Sequence, residues 1–156
     1  MSVNTTKVEG RRKLDYASLE EVLADADRLS SGPVKALGNW SAGQIFRHLA
    51  LAFNGSMDGI TIAFPWYLRL LAKIFRKKLL AGPMPAGFAL PGEGGKGLMP
   101  PPTSTEEGLA DLRAAVARLE REPLRARHPM FGDLTREQWN KIHLAHASLH
   151  MSFLVR

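Results

Sequence analysis

The sequence predicts an all-α fold, a four-helix bundle with one long Gly/Pro-rich loop. Three observations support this: four or five segments carry apolar residues at helical spacing, capping sequences precede them, and alternating stretches that would indicate strands are sparse. The 156 residues, 45% of them hydrophobic, are enough for one domain with a sizeable core. We therefore expect a single domain over residues 1–156, in which residues 1–15 form a polar N-terminal extension.

Capping sequences predict where the first two helices begin. Ser18 precedes Glu21 by three residues, and Ser41 precedes Gln44 by the same spacing. In such a pair each side chain can accept a hydrogen bond from an N–H group that the first helical turn leaves unpaired. Ser and Gly followed by Pro in residues 30–33 should end the first helix.

A third helix is predicted over residues 65–80, where apolar residues recur at helical spacing and five cations occupy the remaining positions. The chain has 21 basic and 15 acidic residues, so these five cations account for most of its net charge of +6. We favour a bundle helix with a solvated basic face over a helix lying on an anionic membrane, and no motif indicates nucleic acid. The five cations are Arg69, Lys73, Arg76, Lys77 and Lys78.

Residues 82–102 contain six prolines and six glycines. Because both residue types disfavour helix, we predict that this segment contains no helix. A loop of this length is unusual in a compact domain and often covers a site. It could therefore be a lid or site wall, or a plain connector.

Two further helices complete the prediction. A cap at Thr103 or Ser104 begins the first of them, which should end before Pro123. Thr135 caps the last helix, which we expect to continue to about Val155.

Histidines occupy predicted core positions on two different helices. On a helical wheel of the last helix, His143, His146 and His150 share an arc of about 120° in which every other residue is apolar. His48 lies in the apolar stripe of the second helix. His128 precedes a proline in a loop, where we expect a surface residue.

Buried imidazoles need partners for both ring nitrogens, and an unmet nitrogen costs about 1–3 kcal/mol. Each of His48, His146 and His150 could be a core histidine satisfied by protein groups. Together they favour a divalent metal site, because an i,i+4 pair and a residue from a second helix present three nitrogens to one ion. His143, which we expect nearer the solvent, could be a fourth ligand, a support for a ligand, or a base.

Two sequence segments resemble a known superfamily. Residues 39–49 read Asn-Trp-Ser-Ala-Gly-Gln-Ile-Phe-Arg-His-Leu, and the last helix carries His146-x-x-x-His150. This pattern resembles the DinB/YfiT-like superfamily of four-helix-bundle metalloenzymes, over roughly residues 16–153. The segment 128–139, His-Pro-Met-Phe-Gly-Asp-Leu-Thr-x-x-x-Trp, resembles a branch known only as a domain of unknown function.

The resemblance implies that His48, His146 and His150 bind zinc, nickel or iron. It also implies a small-molecule substrate, with thiol transfer from a low-molecular-weight thiol such as mycothiol or bacillithiol, or a hydrolase-like reaction. His143 is then the candidate catalytic residue that moves a proton. No carboxylate accompanies the histidine pair, and Gln44 is the nearest polar candidate to support His48.

The alternative is a non-catalytic helical module that binds metal or an apolar ligand, with homodimer formation left open. The chain has no cysteine, which excludes disulfides, thiolate ligands and a cysteine nucleophile. No apolar run reaches the roughly 18 residues of a membrane span, and residues 1–15 lack a signal core, so we expect the cytoplasm as the compartment.

Overall fold

A computed structural model describes residues 2–88, 90 and 95–156. Within these ranges the chain is mostly helical, which confirms the all-α prediction apart from one short pair of strands. A 3₁₀ turn at Thr5–Lys7 precedes the helices. The elements, labelled in chain order, are α1 (Leu19–Ser30), β1 (Lys35–Ala36), α2 (Ala42–Asp58), α3 (Trp66–Ile74), α4 (Arg76–Ala81), α5 (Thr105–Arg121), α6 (Arg136–Met151) and β2 (Leu154–Val155).

The predicted caps are confirmed. In three helices the capping side chain accepts from the third backbone N–H, and the third side chain accepts from the cap in return. In α1 the exchange is one-sided, because Glu21 accepts from the N–H of Ala17 instead. The three reciprocal pairs are Ser41 with Gln44, Ser104 with Glu107, and Thr135 with Gln138.

The segment predicted as one helix over residues 65–80 is two helices. The backbone of Phe75 departs from helical geometry, with φ −93° and ψ 13°, so α3 ends there and α4 begins. Residues 95–96 are helical as well, which corrects the prediction that residues 82–102 hold no helix. No helix in the described ranges is long and apolar enough to cross a membrane.

The last helix is shorter than predicted. It ends at Met151, and the chain continues as β2, antiparallel to β1. The carbonyl of Ser152 accepts from the N–H of Arg12, and the carbonyl of Phe153 accepts from the N–H of Leu37. The N–H groups of Ser152 and Phe153 still bond back into the helix, but their carbonyls pair with distant segments, which local periodicity does not reveal.

One apolar core joins the four longer helices α1, α2, α5 and α6. The spacing that predicted these helices also predicted which residues are buried, since the apolar stripes of α1, α2 and α5 all face this core. The largest fully buried apolar side chains are Phe46, Phe53, Leu29, Leu49, Leu112, Leu119, Met151, Leu154, Val22 and Val116.

Helices α2 and α5 touch backbone to backbone near their first turns. A Cβ atom added at Gly43 would lie 2.3 Å from the carbonyl oxygen of Ser104, and one added at Gly108 would lie 2.3 Å from the carbonyl oxygen of Gly43. Only glycine allows so close an approach. The contact fixes α2 just ahead of His48.

An ion-pair cluster fastens the N-terminal segment to the end of α6. Both terminal nitrogens of Arg12 donate to Asp25, at 2.9 and 2.7 Å, and one of them also donates to the carbonyl of Met151 at 2.9 Å. Tyr16 donates its hydroxyl to the same carboxylate. Burial acts to raise the pKa of Asp25, but the hydrogen bonds from Arg12, Tyr16 and Arg28 outweigh it and lower that pKa to about 2.

We predict that Asp25→Asn lowers the free energy of unfolding by about 3 kcal/mol, because it leaves the Arg12 guanidinium largely buried without its counter-charge. Chemical denaturation of both proteins measures the difference. Asp27→Asn is the matched control, since its ion pair with Arg113 is well exposed and should contribute less than about 0.5 kcal/mol. Equal losses in the two variants would contradict this account of the cluster.

Candidate metal centre

The three histidines predicted as metal ligands converge on one point. His48 on α2 meets His146 and His150 on α6, and one ring nitrogen from each lies within 4.8 Å of the others. The ring centroids are 4.9, 4.5 and 4.7 Å apart, nearly an equilateral triangle. The ring planes are steeply inclined to one another, at 81°, 66° and 73°. Each pair of rings therefore meets edge to face rather than face to face.

A backbone carbonyl fixes the tautomer of His48. Its Nδ1 lies 2.6 Å from the carbonyl oxygen of Leu98. A carbonyl only accepts, so we assign the proton to Nδ1, which leaves Nε2 with a free lone pair. That Nε2 lies 3.1 Å from Nε2 of His146.

The nitrogen spacing suits a shared ion. Imidazole nitrogens bind zinc at about 2.0–2.1 Å, so two neighbouring ligands are separated by about 2.8–3.4 Å for bond angles between about 90° and 110°. The observed 3.1 Å between His48 and His146 falls in this range. Without an ion, the same distance fits an N–H of His146 donating to His48. The three imidazoles and this one spacing thus fit a divalent metal, while the three nitrogens as a set lie within 4.8 Å of one another.

The rings are held neutral, as metal ligands must be. Burial lowers the pKa of His150 to about 3, with the neighbouring His48 and Arg11 acting in the same direction. The pKa of His146 is also lowered, by burial and by His150 and His48. For His48, burial lowers the pKa although the hydrogen bond to Leu98 opposes it.

Trp40 covers one side of the site, and the histidines of α6 are less buried than His48. The indole of Trp40 stacks on His150, with centroids 5.4 Å apart and planes at 22°, and also contacts His48 at 4.7 Å. His48 is buried, whereas His146 and His150 are only half-buried. The histidines of α6 are thus the less buried part of the centre.

The long loop contributes directly to the site. Leu98, which holds His48, lies within it. Gln44, the predicted support for His48, instead closes the cap of α2 and donates to the carbonyl of Pro100 at 3.3 Å. Gln44 thus fastens the loop, and the loop supports His48. No sequence signal could identify Leu98, because the contact uses a backbone carbonyl that every residue has.

His143 lies deeper than predicted. It is 2% exposed, so the expectation that it would be nearer the solvent is wrong. Ser56 donates its hydroxyl to the carbonyl of Phe53, so the hydroxyl oxygen accepts from Nε2 of His143 at 3.1 Å. Burial lowers its pKa to about 3. The role of His143 in catalysis stays a prediction.

His128 is half-buried rather than a surface residue as predicted. Its Nδ1 accepts from the backbone N–H groups of Met130 and Phe131, at 3.1 and 3.2 Å. Its ring packs against Trp139, which in turn stacks on His143. Burial lowers the pKa of His128 to about 4. The histidine therefore organises the turn before α6.

Fold and site together define a helical protein with a candidate three-histidine metal centre. Among the described residues, that cluster includes no carboxylate. The chain belongs to the family described as Protein of unknown function (DUF1569), whose family model matches residues 8–156. No curated protein and no solved structure matches the chain.

We predict that His128→Asn makes stability less sensitive to acid. The native pKa of about 4 lies below the unfolded value of about 6.5, so the unfolded chain takes up a proton first and stability falls as pH drops through this window. The variant should reduce the slope by up to about 1.4 kcal/mol per pH unit, while its side-chain oxygen keeps an acceptor for the turn. Urea unfolding between pH 7 and 4 measures the slope, and an unchanged slope would show that His128 is not held neutral.

Proposed function

We propose that this protein is a divalent-metal-dependent enzyme with a DinB-like four-helix-bundle fold, in which His48, His146 and His150 hold the ion. The observation that carries the proposal is the 3.1 Å separation of two Nε2 atoms from different helices, with Nδ1 of His48 already engaged by Leu98. Such a carbonyl partner is what metal-ligating histidines ordinarily have, because it orients the ring and fixes the tautomer.

A bound zinc, nickel or iron ion would act as a Lewis acid, or lower the pKa of a bound water or substrate thiol. Three imidazoles leave coordination positions for such a ligand. The proposed substrate is a small molecule that reaches the half-buried His146 and His150. Thiol transfer and hydrolysis are the two candidate reactions; in the first, the thiol comes from the substrate or a low-molecular-weight cosubstrate, because the chain has no cysteine.

The surrounding residues have distinct proposed tasks. Leu98 keeps the proton of His48 on Nδ1, so Nε2 faces the centre. Trp40 covers one side and excludes water from it. His143 holds a proton on Nε2 against Ser56, one helical turn from His146, and is the proposed residue for proton movement. We retain the cytoplasm as the proposed compartment.

A non-catalytic metal-binding module is the second candidate. It is favoured by the absence of any carboxylate from the histidine cluster within the described part of the chain, because carboxylates commonly serve as acid or base beside a metal. In this case the ion would join α2 to α6 and stabilise the fold, and the protein could act as a homodimer.

We predict that untagged protein binds close to one divalent ion per chain and that His146→Ala abolishes this binding. The reason is that His146 shares the 3.1 Å contact with His48 and is one of the three ring-nitrogen donors of the cluster. Elemental analysis measures the content. Thermal unfolding with added zinc gives a second readout, since an ion present at a hundredfold its Kd stabilises the folded state by about 2.7 kcal/mol.

His128→Asn is the matched control for metal binding, because it removes a partly buried imidazole outside the cluster. It should retain the ion and the zinc-dependent stabilisation. Metal-free protein that zinc does not stabilise would contradict the metal site, as would an ion retained equally by His146→Ala.

We predict that His143→Asn leaves the metal content unchanged and lowers turnover by about 10²–10⁴-fold, the range for losing general acid–base catalysis. Thiol-transfer and ester or amide hydrolysis assays with zinc, nickel and iron form the screen. Ser56→Ala is the companion variant, since it removes the hydrogen-bond partner of Nε2 but keeps the imidazole. Turnover retained in His143→Asn would eliminate His143 as the base, and no activity in any assay favours the non-catalytic module.

A further inference from the structure

Helix α3 turns an apolar surface towards solvent. Trp66, Leu70 and Ile74 recur every four residues and are 75%, 50% and 65% exposed. At about 100° per residue they share an arc of about 80° on the face opposite Ala72, which is 3% exposed. We call these three residues the apolar ridge. The predicted basic face is in solvent, with Arg69 and Lys73 exposed, but apolar residues expected to pack in the bundle are exposed as well.

The helix is nevertheless fastened to the body of the protein. Ala72 is buried on the side of the helix opposite the ridge, and Phe64, two residues before the helix, is buried as well. At the start of α4, Arg76 donates to the carbonyl of Asp133 at 2.6 Å and to the side-chain oxygen of Gln138 at 2.8 Å. The ridge is thus held in an outward-facing position at the beginning of α6.

Cations accompany the ridge without any nearby acid in sequence. Arg69 and Lys73 lie beside it on the wheel, and Lys77 and Lys78 follow in α4. The sequence has no acidic residue from 59 to 92. Within the described ranges, these four cations form no ion pair, unlike many other arginines of the chain.

The charge of this surface decides which occupant fits it. A two-fold dimer through the ridge would face the same patch with its copy, because such an interface is self-complementary. Cations would then oppose cations, because residues 59–92 of each copy contain no acid. An anionic bilayer offers negative headgroups to the cations and an acyl boundary to the ridge, the combination typical of interfacial amphipathic helices.

We propose that α3 and α4 form a docking surface for an anionic phospholipid membrane, with the apolar ridge inserted at the headgroup boundary and Arg69, Lys73, Lys77 and Lys78 among the headgroups. The nine residues of α3 extend about 13 Å, so the helix lies in the interface and does not span it. Membrane docking does not depend on the metal centre.

Sedimentation of the full chain with phospholipid vesicles tests this proposal. The vesicles contain either phosphatidylcholine alone or phosphatidylcholine with 30% phosphatidylserine. We expect the protein to pellet with the anionic vesicles in 0.1 M salt and to be released towards 1 M salt, where the screening length falls from about 10 to about 3 Å.

Two double variants measure separately how much the apolar ridge and the cations contribute to vesicle binding. Lys73→Ala with Lys77→Ala should weaken partitioning about 25-fold, because each lysine near an anionic surface contributes about fivefold. Trp66→Ser with Ile74→Ser should weaken it at least tenfold even in low salt. All four side chains are exposed, so the variants should fold as the parent does.

Matched controls carry the same chemical changes elsewhere. Lys7→Ala with Lys35→Ala removes the same charge from exposed positions outside the docking surface, and Leu124→Ser removes a residue that is 82% exposed. Both controls should bind anionic vesicles as the parent does.

Absence of binding to anionic vesicles in low salt would overturn the proposal. So would binding that Trp66→Ser with Ile74→Ser leaves unchanged, or binding that Lys7→Ala with Lys35→Ala weakens as much as the patch variant does. Analytical ultracentrifugation measures the oligomeric state and so tests the other possible occupant, a second copy of the chain. If the protein does not bind vesicles but forms a dimer, and Trp66→Ser with Ile74→Ser dissociates that dimer, then a second copy of the chain covers this face.

Discussion

Three imidazoles that share one partly desolvated point are the constraint on which the rest of the structure depends. One ring nitrogen from each of His48, His146 and His150 lies within 4.8 Å of the others, and burial disfavours the charged forms of the rings. The carbonyl of Leu98 accepts the N–H of His48, so this donor is not available to the other two rings. Within the cluster, three neutral rings therefore have three lone pairs but only two remaining N–H donors. A divalent cation satisfies all three lone pairs at once. The cluster therefore has the donor set of a candidate metal site.

Several contacts around the cluster fix the positions of α2, α6 and the long loop relative to one another. The backbone contact of Gly43 with α5 sets the start of α2. Arg12 and Asp25 hold the end of α6, and β2 pairs with β1 just beyond it. The loop is fastened by Gln44 and in turn orients His48. Disturbing any of these contacts should change the distance between His48 and the histidines of α6.

The sequence predicted the main elements because their signals are local. Caps such as Ser41 with Gln44 lie three residues apart, and the positions of His48, His146 and His150 follow from helical spacing. The failures concern contacts that no local pattern encodes. Helix α6 ends early because Ser152 pairs with Arg12, the residue that supports His48 is a backbone carbonyl, and α3 exposes an apolar stripe that periodicity assigns to a core. That last failure, an apolar stripe exposed beside cations that form no ion pair in the described part of the chain, is the observation on which the membrane proposal rests.

Anomalous diffraction at the zinc edge, from crystals grown with zinc, tests the central claim most directly. The account predicts one strong peak bonded to Nε2 of His48, Nε2 of His146 and a ring nitrogen of His150, with Nδ1 of His48 still donating to Leu98. Saturating zinc without a peak at the cluster, and with His146 hydrogen-bonded directly to His48, would contradict it.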